Sequence, residues 1–488
     1  MNQLYNILKK ENKSIIAFII ILILLSFIWV GNFDKESFAL FFKNSCIAAR
    51  EFSGICCCFS LAVALLIAFS KYGRVKIGGE NAEKEFSTSS WISCMIMAGM
   101  GIGIMFYSQE PLFHLHSNPY VNQVEGSNTA IAYALTLYNW TFNVWGLYGL
   151  LGVIIAYFYY NKKRDLKISS IFPTKLPQWI KNVLDIIMAL GIIAGLTTSL
   201  GLGVVQLKGG LSYVFNYETN NYILMAIIGI ISTWSVNSGL KKGVKWLSNI
   251  NSYLVIAFLL TALIAGYFSF NINGFTQYIF DGVTQLFTSY LSFNDFWNPN
   301  SDEWAASWAT FYQLWFAAWA AFVAVFIAKI SKGRTIREFI LGVVVLPSVL
   351  TVIWFGVLGN IGNELKEAIF PMMQTDITKS LFVFIHQLFH SSSYYIVSAF
   401  VLVIVCMFFI TSSDSSSYVV ATLLSNSKAS RLSKIIWSCI QCLVAMALFA
   451  CGGLSLVQSA SVLLGILVLC VIVIGSFYFI YTLIKTEK

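Results

Sequence analysis

The sequence predicts an all-α integral membrane protein with 12 transmembrane helices, and three observations carry that prediction. Of 488 residues, 58% are hydrophobic and only 11% charged, well below the charge of an ordinary soluble domain. Apolar runs of roughly 20 residues, the length that crosses hydrocarbon, recur from Ile15 to the C-terminal end. Lys and Arg concentrate in alternate connections, as they do in cytoplasmic loops.

Taken in order, the apolar runs lie near 14–31, 47–70, 90–107, 128–160, 179–206, 222–238, 250–270, 308–329, 339–359, 394–423, 434–452 and 456–484. The first lacks a small-residue cleavage site and is too long for a signal peptide, so it reads as a retained helix. The basic connections carry Lys9 and Lys10; Lys71, Arg74 and Lys76; Lys162, Lys163 and Arg164; Lys241, Lys242 and Lys245; Lys329, Lys332, Arg334 and Arg337; and Lys428, Arg431 and Lys434. The opposite set includes long loops at 109–127 and 271–303 without a single Lys or Arg. Both termini are therefore expected in the cytoplasm. The same loops account for the net charge of +9 without invoking nucleic acid. Nearly all ten cysteines fall inside the apolar runs and read as small packing residues. The four histidines, His114, His116, His386 and His390, read as surface residues of external loops.

The third run, CMIMAGMGIGIMFYSQEP, has Gly99, Gly101 and Gly103 at every second position. Glycine holds a helix poorly, and close helix packing through small residues uses a spacing of four, so the pattern predicts a break. Unwound backbone at membrane depth must line protein or a polar cavity. The tenth run contains FFITSSDSSSY, in which Thr411 to Ser417 are all polar. Hydroxyls and freed carbonyls there suit sodium, while a serine-capped helix end is the plainer alternative. Two such interrupted spans, one in each half, are the mark of secondary transporters built on inverted repeats.

The fourth run supplies Trp140, Trp145 and Tyr148 within YNWTFNVWGLYG. The eighth, SWATFYQLWFAAW, stacks Trp308, Tyr312, Trp315 and Trp319 on one narrow helical stripe. Rings at the ends of a span would form an interfacial belt; these lie near the middle. Facing rings bind a quaternary ammonium without any formal counter-charge, although ordinary aromatic packing is the alternative for each ring alone. Glu110 and Asp185 read as capping or packing residues. Asp414 is the best candidate for a functional acid, with a structural role at the cytoplasmic end as the alternative.

These residues resemble the betaine/choline/carnitine transporter family. The segments that carry the resemblance are GMGIGIMFYSQEP, TSLGLGVVQLKGGL, SGLKKGVKWLSNIN, ISKGRTIREF and FFITSSDS. The resemblance implies leucine-transporter-type inverted five-helix repeats preceded by two extra helices. That gives N-terminal peripheral helices in 1–85, a first repeat in 86–270, an external loop and amphipathic helix in 271–307, and a second repeat in 308–488. It implies a substrate box of Trp140, Trp145, Tyr148, Trp315, Phe316 and Trp319. The substrate carboxylate would meet backbone amides at Ala98 and Met100 and the hydroxyl of Ser199. Sodium would sit among the carbonyls of Met97, Met100 and Phe408 and the hydroxyls of Thr411 and Ser412. It further implies a homotrimer in the bacterial cytoplasmic membrane, no cofactor besides Na+ as coupling ion, and no enzymatic activity.

The chain also departs from that pattern. Phe316 stands where a Trp is usual and Gln313 where another often is. Ile192 and Leu196 occupy the positions of hydroxyls that form a second sodium site. AAFVA after Trp319 replaces a Ser-Pro break, and Gly103 stands where proton-coupled choline members carry Asp. Only KTEK follows the last run, which predicts uptake that needs no osmotic activation. The expected function is sodium-coupled uptake of glycine betaine. A proton-coupled choline carrier, a cation-independent carnitine/betaine exchanger and a passive channel are the alternatives.

Overall fold

The computed structural model describes residues 12–30, 35–122, 126–236, 245–270, 274–292, 303–425 and 429–487. Nearly all of them are helical, and the isolated bridge between Lys76 and Thr335 is the only extended pairing among the described residues. Eight segments are long and apolar enough to cross a bilayer, with shorter apolar stretches at Asn12–Ser26 and Asn221–Val236. The protein is thus a multi-pass, all-α membrane protein.

α1 (Asn12–Val30) and α2 (Lys35–Phe69) come first. α1 leaves Ile19, Leu22, Ile23 and Leu24 exposed, an apolar surface suited to lipid rather than water. The third apolar run is divided, as its glycines predict. α3 (Thr88–Met100) stops before Gly101, whose φ of 55° and ψ of −163° lie outside the range of ordinary L-residues. A single turn, α4 (Gly103–Phe106), follows. α5 (Glu110–Ser117) then starts with Pro111 in its first turn, where the missing N–H has no helical partner to lose.

The fourth run is divided too, which its unbroken apolar pattern does not predict. α6 (Asn128–Trp140) and α7 (Phe142–Ala156) meet at Thr141, with φ −112° and ψ −123°. Trp140 therefore belongs to one helix and Trp145 and Tyr148 to the next. The remaining helices are α8 (Gln178–Phe215), α9 (Asn221–Val236), α10 (Lys245–Phe270), α11 (Phe275–Ser292), α12 (Glu303–Ile330), α13 (Ile336–Glu364), α14 (Lys366–Asp376), α15 (Ser380–Leu388), α16 (Ser392–Leu424) and α17 (Arg431–Thr486). α17 holds both final apolar runs, separated at Gly453 (φ 63°, ψ −152°).

α12 is enclosed. It touches α2, α7, α8 and α17 and also reaches α3 and α16, and its residues Phe311 to Ala328 are all buried. A helix apolar on every side finds no better place. It is continuous from Glu303 to Ile330, consistent with AAFVA standing where a Ser-Pro break would be. By contrast α9 and α10 leave Trp234 (76%) and Phe268 (81%) exposed, which marks them as outer helices.

Two polar ties hold the bundle at its basic ends. The connection before α3 and the one after α12 share a backbone seam. Ile77 N–H donates to Arg334 O (2.8 Å), Gly333 N–H to Ile77 O (2.9 Å) and Ile336 N–H to Val75 O (2.9 Å). Arg334 is buried beneath this seam, 4.0 Å from the Trp91 ring and ion-paired with Glu338. Elsewhere Lys13 Nζ meets Asp185 Oδ2 at 2.6 Å, and the Ser169 N–H and hydroxyl donate to the same carboxylate at 2.9 and 3.0 Å. Lys13 also donates to Leu423 O at 3.3 Å. Asp185 is therefore the centre of a buried ion pair that joins α1, α8 and the end of α16.

Candidate substrate and ion site

The break between α3 and α4 is filled by tryptophan rings. The space beside Gly99 is taken by the ring of Trp145. A Cβ at Gly101 would lie 2.9 Å from Trp319, and one at Gly103 would lie 2.6 Å from Trp140 and 2.8 Å from Trp315. Three glycines at every second position thus admit four indoles delivered by α6, α7 and α12. Gly99 lies in the last turn of α3 and Gly103 opens α4, so the bend at Gly101 turns the three glycines toward rings from different helices.

Five of the rings form one connected set. Trp145 lies perpendicular to Tyr148 (centroids 5.5 Å apart), Tyr148 reaches Phe316 (6.5 Å), Phe316 meets Trp140 edge-on (5.3 Å) and stacks with Trp315 (5.3 Å). Of the predicted column on α12, Trp308, Tyr312 and Trp315 follow one another at 6.0 and 6.3 Å. Trp319 lies apart, against Gly195 of α8 and Phe322. The buried Tyr148 Oη and Trp319 Nε1 have no hydrogen-bond partner among the described residues, so two donors are available to a polar ligand. Gln313 does not enter the box. Ser53 of α2 donates to its Oε1 (2.7 Å), and its Nε2 donates to Tyr138 of α6 (3.2 Å).

Met100 and Ser199 are buried. Ser199 donates to Gly195 O (3.2 Å), the carbonyl that also accepts from Trp315 Nε1 (3.3 Å), which places it within a turn of the rings. Met97 and Ala98 lie on α3, and their side chains are outside the described residues. α3 packs on α16, which carries Phe408, Thr411 and Ser412, all buried. Thr411 donates to Met407 O (2.9 Å) and Phe408 O (3.0 Å), while Ser412 Oγ has no partner among the described residues.

The polar run from Thr411 to Ser417 does not interrupt its helix, and that corrects the reading of two broken spans. α16 is unbroken from Ser392 to Leu424, since Thr411, Ser416 and Ser417 donate back to carbonyls three or four residues earlier, an arrangement a helix tolerates. Asp414 is buried and takes the hydroxyl of Ser235 from α9 at 2.5 Å. It joins two helices instead of marking a solvated end. Among the described residues, no group of three His, Cys, Asp or Glu side chains could hold a metal ion.

The main residue that sequence reasoning missed is Glu110. It is 2% exposed, and its Oε2 accepts from Trp140 Nε1 (2.6 Å) and the Tyr312 hydroxyl (2.8 Å). Its Oε1 accepts from Asn139 (2.9 Å) and Trp308 (3.4 Å) and lies 3.1 Å from His114 Nε2. His114, read as a surface histidine, is buried with it, because α5 turns that face toward α6 and α12; His116, His386 and His390 are exposed. The usable signal was the acid placed two residues beyond Ser108 at the end of a glycine-broken apolar run, but a Glu-Pro pair equally describes a helix start.

A family profile described as the betaine/carnitine/choline family of transporters matches residues 14–488. A glycine betaine transporter of Acinetobacter baylyi is 32% identical over 455 residues, covering 88% of this chain and 65% of that protein. An ectoine/hydroxyectoine transporter of Virgibacillus pantothenticus is 30% identical, covering 88% of this chain and 89% of its own. A glycine betaine transporter of Bacillus subtilis is 35% identical over 62% of this chain and 61% of its own. This chain therefore spans less than two thirds of the Acinetobacter and Bacillus proteins. A solved Na+-coupled sialic acid symporter superposes with a TM-score of 0.47 and 13% identity, over 87% of this chain and 86% of that one, a likeness too distant to carry weight.

Proposed function

The chain belongs to the betaine/carnitine/choline transporter family, and from that premise we propose that it is a sodium-coupled symporter for a quaternary-ammonium compatible solute, glycine betaine foremost. Membership makes it a transporter and not an enzyme. The observation that supports the substrate reading is the meeting of four indoles with the glycines of the α3–α4 break. Rings buried beside freed backbone offer electron-rich faces for a trimethylammonium group at one end. A carboxylate at the other end would turn to hydroxyl and indole donors beside the break.

In this reading Trp140, Trp145, Tyr148, Trp315, Phe316 and Trp319 hold the cationic head. The family's carboxylate position falls at Ala98, Met100 and Ser199; because Ala98 and Met100 lie inside α3, whose end frees carbonyls rather than amides, the hydroxyl of Ser199 and the unpartnered Trp319 Nε1 and Tyr148 Oη are the donors proposed for it. Sodium lies between α3 and α16, on carbonyls of Met97, Met100 and Phe408 and on Thr411 and Ser412. The helices of 86–270 and 308–488 are two inverted repeats that rock about this site. The protein works as a homotrimer in the bacterial cytoplasmic membrane with both termini inside.

The deciding experiment is uptake of labelled betaine, choline, carnitine and ectoine into proteoliposomes under imposed sodium or proton gradients. Concentrative betaine uptake that requires sodium supports the proposal. Proton-driven choline uptake, exchange that needs internal substrate, or flux that only equilibrates would replace it with a proton-coupled carrier, an exchanger or a channel, respectively.

A further inference from the structure

We propose that Glu110 is the counter-charge for the substrate's quaternary ammonium, acting through the rings that hydrogen-bond to it. The inference rests on the cation-box reading above and adds to it a residue outside the rings themselves.

The charge of Glu110 is not cancelled locally. Among the described residues no Lys or Arg pairs with it, and its one basic neighbour is His114. The network fixes the proton on that histidine. Tyr120 N–H can only donate, so the Asn118 atom facing it at 3.0 Å is the oxygen Oδ1. Asn118 Nδ2 is then the atom 3.2 Å from His114 Nδ1. An amide nitrogen donates and does not accept, so Nδ1 carries no proton and the ring's N–H is Nε2, aimed at Glu110. His114 Nε2–H thereby donates to Glu110, as do Asn139, Trp140, Trp308 and Tyr312. The carboxylate is enclosed by hydrogen-bond donors, none of them a Lys or Arg.

That charge reaches the ligand through two rings. The hydrogen bond from Trp140 (2.6 Å) is in the short, charge-assisted range, and Tyr312 adds a hydroxyl bond of ordinary length (2.8 Å) to the same oxygen. Donation of an N–H or O–H to a carboxylate polarises the bond and shifts electron density into the aromatic system, deepening the negative face that attracts a cation. Trp140 is the ring over Gly103 and touches both Tyr312 (5.2 Å) and Phe316 (5.3 Å), so the effect falls inside the box. A simple scaffold would need no charge here, since a buried carboxylate is costly to desolvate. A cation that binds beside it recovers that cost.

The consequence is selectivity for charge over shape. Rings alone hold a trimethylammonium group and a tert-butyl group of the same size by contact, whereas a counter-charge favours only the first. The test is competition against labelled betaine by choline and by 3,3-dimethylbutan-1-ol, its carbon isostere, on the purified full chain. In Glu110→Gln, affinity for choline should fall about tenfold or more while affinity for the isostere holds, collapsing their ratio. Tyr312→Phe keeps the ring and removes one donor; its ratio should fall about threefold and decides the matter if Glu110→Gln does not fold. Equal losses for both ligands, or an unchanged ratio in the variants, would overturn the counter-charge and leave the box standing. A wild-type protein that binds no trimethylammonium compound would overturn both.

Discussion

Gly103 lies beneath two indoles, and a single methyl group there has nowhere to go. Its Cβ would fall 2.6 Å from Trp140 and 2.8 Å from Trp315, inside the contact distance of real carbons, so Gly103→Ala should displace both rings. The expected outcome is an apparent KM for betaine raised at least about tenfold, roughly 1.4 kcal/mol, in protein that still reaches the membrane. Trp145→Leu and Trp319→Leu should each do the same by removing a ring face; normal affinity in well-expressed variants would reduce these rings to packing. Phe316 touches Trp140, Trp315 and Tyr148, and an indole in its place presents a stronger face to a cation. Phe316→Trp should therefore alter affinity or the preference among betaine, choline and carnitine, read from competition curves. At this scale the clusters of Trp140, Trp145 and Tyr148 and of Trp308, Tyr312, Trp315 and Trp319 were visible in the sequence because aromatic spacing is a local signal, whereas Phe316 entered only through the family resemblance. Glu110 was not, since its partners Trp140 and Tyr312 lie 30 and 202 residues away, and only the fold brings them to one carboxylate.

Among elements, the two breaks in the first half have different causes. The break at Gly101 was legible because glycine is the residue that accepts a φ of 55°. The one at Thr141 carries no Gly or Pro; its φ of −112° and ψ of −123° let Trp140 of α6 meet Gly103 and Trp145 of α7 meet Gly99, a tertiary demand that periodicity does not encode. The hydroxyl run on α16 misled in the other direction. Thr411, Ser416 and Ser417 donate back to carbonyls of their own helix, so polar composition did not mean unwinding. The proposed sodium site then uses hydroxyls on a helix face, and the Phe408 carbonyl it draws on stays inside an unbroken helix where Thr411 also donates to it. Thr411→Ala or Ser412→Ala should raise the sodium concentration for half-maximal uptake without changing assembly, because an oxygen ligand is lost while the helix remains. A sodium requirement equal to that of wild type would sink the assignment of those two hydroxyls.

At the level of the whole molecule, buried polar ties set the order of the bundle. Asp185 accepts from Lys13 and twice from Ser169, and removing one partner of such a pair leaves the other charge buried. Asp185→Asn should cost about 3–5 kcal/mol, seen as a lower unfolding midpoint of the purified protein; an unchanged midpoint would mean that Lys13 finds water instead. The seam between the connections before α3 and after α12 has a different use. Its bridged residues, Lys76 and Thr335, face each other as an antiparallel pair, with α-carbons about 4.5–5.5 Å apart, within the about 4.4–6.8 Å span of a disulfide. The two helices it joins are those whose rings and glycines meet at the box, and in the proposed mechanism the two repeats rock against each other. The double variant Lys76→Cys, Thr335→Cys is thus a redox-operated lock: oxidised, it should bind betaine yet carry none across, and reductant should restore flux that oxidation never removes from the parent chain.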